Sequence, residues 1–302
     1  MAEALRLASF AMGTRFEVVV RHGDVAHARA AGEAALAEIE RWHDLLSIFD
    51  RSSFLSFVNA HAYERAIGLD AEQFALLSLC REVWRASGGA FDPTIASEMV
   101  KLGLHDRPQS GGGPVGFDAI ILDESARTIR LAHEGVSIDL GGVAKGFALD
   151  RAADVLRECG IEHAFIHGGT SSGVALGYAE EQGTPWRVVL GVDQGAPCRD
   201  LIDSAYSVSS PSGRVAGGTH HILDPRGGEV DADRCAAVWC GMRFGPSIGV
   251  AAALCDAWST AMVVLGHRPS GMPMTMGSAV RAGGVWRDQR NTLDRLAGAG
   301  AA

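Results

Sequence analysis

The chain has 302 residues, 47% of them hydrophobic and 21% charged, with 38 glycines, which is the make-up of a loop-rich soluble protein with ample core in one large domain or two. A formal net charge of -9 argues against a nucleic-acid partner, which would need a basic face. Six cysteines without a CxxC pair read as thiols of a reducing compartment, and a start without a basic segment leading into a long apolar run indicates neither export nor a membrane span, so a cytoplasmic location is expected.

In chain order, residues 16–20 predict a strand, preceded by the turn-like Met12-Gly13-Thr14. Apolar spacing at Ala35, Leu36, Ile39, Trp42 and Leu46 predicts a helix over 26–46, and residues 45–59 read as turns and then weak helix. A second helix is predicted over 72–85, closed by Ser87-Gly88-Gly89. Asp92 precedes Pro93 and cannot continue a helix. Residues 105–116 read as a flexible loop, and 120–122 with 128–131 as a hairpin.

Residues 136–168 form the centre of the pattern. An apolar strand is predicted at 136–138, a glycine-rich bend at Asp139-Leu140-Gly141-Gly142, a helix from Val143 to a stop at Gly160, and a strand at 164–166. This gathers a carboxylate (Asp139), open backbone and a cation (Lys145) near one helix start, where amides and the helix dipole draw phosphate and carboxylates draw hard cations. The same residues also suit a capping aspartate and a solvated lysine. Further strands are predicted at 174–176, 186–192, 205–208 and 236–240, and a helix at 248–265 ending on Gly266. Cys235 and Cys240, five apart in an extended run, should face opposite sides of the strand. The tail from 291, ending AGAGAA, holds too little apolar surface to order itself.

Asp256 and Thr260, four apart on the last helix, share a face. Two such oxygens with a glycine-loop carbonyl suit Mg2+, which keeps waters and shares phosphate oxygens with a bound nucleotide. A capping aspartate and a packed threonine have the same spacing. His220 and His221 are adjacent, so on an extended segment only one can face a site. Asp92 also suits a simple turn former.

Taken together, MGT at 12–14, the LSIFDRSSFLSFVN stretch ahead of residue 60, AFDPT at 90–94, IDLGGVAKGFALDRAADVL at 138–156, HILDP at 221–225 and CDAWSTAMVVLG at 255–266 resemble, in order, the ApbE-type FAD:protein FMN transferases. The resemblance runs from about Phe10 to Gly266. It implies an α+β fold with a single mixed α/β domain related to the T-fold, spanning 1–290, with 291–302 as a tail. By position, Met12, Phe49, Ala90, Phe91, Asp92, Asp139, Lys145 and Ile222 would hold FAD as substrate. Gly142 through its carbonyl, Asp256 and Thr260 would hold Mg2+, and His221 with Lys145 would assist transfer. The implied partner is an acceptor protein with a threonine or serine hydroxyl, which takes FMN while AMP leaves. Two positions depart from the family pattern. Thr170 and Arg214 stand where acids are usual, which keeps open a non-catalytic FAD-binding relative; an FAD pyrophosphatase, with water as the acceptor, is the other alternative.

Overall fold

The computed structural model describes residues 4–104, 113–180, 183–213, 215–216, 219–242 and 249–289. The expected 105–116 loop falls mostly outside them, as do Arg214 and the 291–302 tail. The helices are α1 (Val25–Leu46), α2 (Phe54–His61), α3 (Ala71–Ala86), α4 (Ala96–Lys101), α5 (Ala144–Glu158) and α6 (Ala251–Leu265). The strands begin with β1 (Leu5–Ala11), β2 (Thr14–Arg21), β3 (Ile67–Gly68), β4 (Ile120–Asp123), β5 (Thr128–Leu131), β6 (His163–Gly168), β7 (Ser172–Leu176) and β8 (Trp186–Val189). They continue with β9 (Cys198–Leu201), β10 (Ser204–Ser209), β11 (Val215–Ala216), β12 (Thr219–His220), β13 (Cys235–Gly241), β14 (Gly277–Ala282) and β15 (Val285–Asp288).

The organising sheet has eight strands in the order β1-β2-β6-β7-β10-β13-β14-β15, antiparallel throughout. Alternation in the sequence sets its two faces. Phe16, Val18 and Val20 of β2 and Ala236 and Val238 of β13 are fully buried under the helices. Phe165, Tyr206, Trp239 and Trp286 point the other way, where the β8–β9 hairpin covers them. There the rings of Phe165 and Trp186 stack at 5.5 Å.

On the helical side α1 packs along α5, with Trp42 and Phe147 edge to face at 4.8 Å. Both rings are fully buried, each contributing roughly 2–3 kcal/mol of transfer free energy. Helix α6 lies between α5 and strands β10 and β13, and is apolar nearly all round for that reason. Asp24 caps α1 and Asp70 forms a capping box on α3, as the polar residues before those apolar runs require.

One expected element is absent. Residues 136–138 join no strand; Asn59 of α2 grips this stretch instead, donating to the Ile138 carbonyl at 2.9 Å and accepting from its amide at 2.8 Å. A side-chain amide offers the same donor and acceptor pair as a neighbouring strand. Unforeseen elements are β1, β3, α4, β9, the short β11–β12 pair and the β14–β15 hairpin. All six cysteines are free, and Cys240 lies 3.5 Å from Cys255, sulfur to sulfur.

Candidate active site

The DLGG bend and the AFDPT segment meet as one wall. The Asp139 amide donates to the Pro93 carbonyl at 2.7 Å. A Cβ on Gly142 would stand 3.3 Å from Thr260 Oγ1, a tight contact, and 3.4 Å from Phe91, at ordinary van der Waals distance, so the bend packs closely against both. Asp139 does not cap α5. Its side chain accepts from the Gly141 amide at 2.7 Å, and the capping position falls to Val143, which has no side-chain acceptor. Asp92 accepts from the Thr94 amide and hydroxyl at 2.8 and 2.6 Å, and burial nonetheless pushes its carboxyl above the usual range.

The orphaned start of α5 finds its acceptor on α6. Asp256, 3% exposed, takes the Gly146 amide on Oδ2 at 3.1 Å and the Ser207 hydroxyl on Oδ1 at 2.9 Å. Lys145 Nζ lies 3.9 Å from Oδ2. Thr260, one turn on, donates to the Asp256 carbonyl at 3.1 Å and lies 3.4 Å from Ser209. Ser259 links Ser209 and Ser207 behind them, at 2.7 and 3.3 Å. This serine network was legible only as the spacing of Ser207 and Ser209, which puts both on one face of β10.

A cavity of about 1150 Å³ opens above these groups. Met12, Phe49, Phe91, Asp92, Asp139, Gly142, Lys145, His221, Ile222, Asp256 and Thr260 all line it. Ala90 does not: it is 1% exposed and packs in the core behind Phe91. Of the two adjacent histidines, His221 faces the cavity and His220 does not line it. Asp224 holds the HILDP turn in shape, accepting Arg226 Nε and Nη2 at 2.8 and 2.9 Å, and that guanidinium keeps its carboxyl below the usual range. Thr170 lines the cavity too, so the residue that replaces an acid of the family pattern does stand at the site. Sequence reasoning did not reach His43, Asp193, Arg281 and Trp286, which complete the wall from elements distant in the chain.

No group of three or more His, Cys, Asp or Glu side chains clusters for a metal among the described residues. The oxygen set of Asp256, Thr260 and the Gly142 backbone still fits a hard cation that shares its remaining positions with phosphate and water. Each Asp256 oxygen keeps a second lone pair beyond its one hydrogen bond.

Known relatives and solved structures resemble this chain along most of its length. A protein named FAD:protein FMN transferase from Treponema pallidum is 26% identical over 290 residues, 81% of this chain and 74% of the relative. One of the same name from Rhodobacter capsulatus is 27% identical, with 85% of this chain matching 51% of the relative. The ApbE protein of Thermotoga maritima superposes with a TM-score of 0.78 at 23% identity, over 97% of this chain and 99% of the other. The flavin transferase ApbE of Vibrio cholerae gives 0.78 at 18% identity, over 98% and 99%. The model of the ApbE family matches residues 12–275, and with the motifs in place around one cavity, the chain belongs to the ApbE family.

Proposed function

We propose that the protein is an FAD:protein FMN transferase dependent on Mg2+, with an acceptor protein's threonine or serine as the FMN-receiving group. The observation that carries this reading is the convergence of Lys145, Asp256, Thr260 and the Asp139–Gly142 bend on one cavity large enough for a dinucleotide. The relatives' shared name supports it.

In this reading Met12, Phe49, Phe91, Asp92, Asp139 and Ile222 hold the dinucleotide, and Ala90 supports Phe91 from behind. The acceptor hydroxyl forms a bond to the FMN-side phosphorus of FAD, the bond from that phosphorus to the bridging oxygen breaks, and AMP leaves with that oxygen. His221, on the cavity wall, takes the hydroxyl proton and passes it to solvent. Lys145, one residue into α5, lays its ammonium toward the pyrophosphate and opposes the charge that builds on the departing AMP. Gly142, Asp256 and Thr260 would hold Mg2+, which when bound neutralises pyrophosphate charge. Asp256 also keeps α5 in register through Gly146, so one carboxylate sets both the cation's place and the lysine's.

No helix among the described residues is long and apolar enough to cross a membrane. The reaction itself is tested by incubating the protein with FAD, Mg2+ and a synthetic peptide carrying one threonine, followed by mass spectrometry. FMN on the threonine with an equal amount of AMP is the expected result. AMP without modified peptide would make the protein an FAD pyrophosphatase, and bound FAD with no AMP under any divalent metal would make it a flavin-binding relative without turnover.

A further inference from the structure

The turn between β1 and β2 is a two-residue loop, since Ala11 pairs with Thr14 across it. Both loop residues are left-handed, Met12 at φ 49° and Gly13 at φ 73°. Two-residue hairpins favour this geometry, but they place asparagine, aspartate or glycine at its first position. Methionine there is held in a backbone conformation that unbranched apolar side chains rarely adopt. Its amide also gains no ladder partner, because the loop lies outside the strand pairing. The amide donates instead to Nδ1 of His43, 3.2 Å away in the last turn of α1 and 31 residues further on. Both Met12 and His43 line the cavity. The other side of the turn is already fixed, for Gly169 donates to the Arg15 carbonyl at 2.8 Å and has Thr14 packed against it.

We propose that His43 is a positioning residue for the dinucleotide, whose neutral imidazole clasps the Met12 amide and holds the strained turn so that the Met12 side chain stays on the cavity wall. Accepting through Nδ1 requires that nitrogen to be unprotonated, which puts the proton on Nε2. The role rests on the flavin reading above and adds to it a residue of α1 that acts on the ligand through the Met12 turn.

His43→Leu and His43→Asn separate the clasp from bulk, since the asparagine amide oxygen can take the place of Nδ1 and leucine offers no acceptor. Three readouts are needed: exchange of the Met12 amide proton in 15N-methionine-labelled protein, the dissociation constant for FAD, and KM and kcat for AMP release. The expected result for His43→Leu is faster exchange at Met12, with KM and dissociation constant for FAD raised roughly five- to tenfold, the scale of one lost hydrogen bond, and little change in kcat at saturating FAD. His43→Asn should restore most of the protection and most of the affinity. Wild-type affinity in His43→Leu, or a loss that asparagine does not recover, would overturn the proposal. A wild-type protein that bound no FAD would overturn the flavin reading and this role with it, whereas tight wild-type binding undiminished in His43→Leu would overturn the clasp alone.

Discussion

Asp256 and Asp150 cap each other's helices. Asp256 on α6 accepts the third amide of α5, from Gly146, at 3.1 Å. Asp150 on α5 accepts the second and third amides of α6, from Ala252 and Ala253, at 3.0 and 2.9 Å. Neither helix has a side-chain cap from its own N-terminal residue. Free amides at a helix start need an acceptor, and here each helix borrows one from its partner. The exchange locks the face of α6 that carries Asp256 and Thr260 to the lysine-bearing start of α5.

Removing the Asp256 carboxylate strands two buried donors, the Gly146 amide and the Ser207 hydroxyl. Asp256→Ala should lower stability by roughly 2–5 kcal/mol and transfer by more than about a hundredfold. Urea unfolding and single-turnover AMP release measure the two effects. Full Mg2+-dependent transfer in that variant would remove Asp256 from the site.

Gly146 marks the tightest point of the α5–α6 contact. A Cβ there would collide with the Ala252 carbonyl and the Ala253 nitrogen, all of it backbone that cannot swing aside. Gly146→Ala should therefore cost roughly 1–3 kcal/mol despite alanine's better helix propensity. A urea midpoint equal to wild type would show that the helices part freely.

Asp150 should make stability depend on pH. It is fully buried, and burial pushes its carboxyl from 3.8 up to about 7 against the pull of the two amides. A raised carboxyl binds its proton more tightly in the folded state, so its contribution is full below pH 4 and is lost as pH climbs through about 7. The total is on the order of 4 kcal/mol. Wild type should lose stability relative to Asp150→Asn, which cannot titrate, across that window, and the offset should then level off. A difference independent of pH would contradict this.

His221 stands on the cavity wall as the proton acceptor of the proposed reaction. His221→Ala should retain FAD binding and lose roughly a hundred- to a thousandfold in turnover. Fluorescence titration of the flavin and the rate of AMP release report these separately. Equal turnover in the variant would pass the role to another group.

Much of this site was legible in the sequence because its parts are local. The spacing of Asp256 and Thr260 placed both on one face of α6, and the bend at Gly141-Gly142 was visible as a break ahead of an apolar helix. What was not legible comes from distant pairing. Nothing in residues 136–138 announces that Asn59 will stand in for a neighbouring strand. Asp139 suited a cap of α5 as well as a phosphate site, yet the cap is Asp256, 110 residues from the amide it serves. The apolar run at 251–265 predicted a helix but not that α5 would supply its acceptor.

The most direct measurement is a crystal structure of the protein with FAD and Mg2+. The pyrophosphate should lie between the Asp139–Gly142 bend with Lys145 on one side and Asp256 with Thr260 on the other, with His221 facing the FMN-side phosphorus. A dinucleotide seated elsewhere, or a cation held without Asp256 and Thr260, would contradict the account.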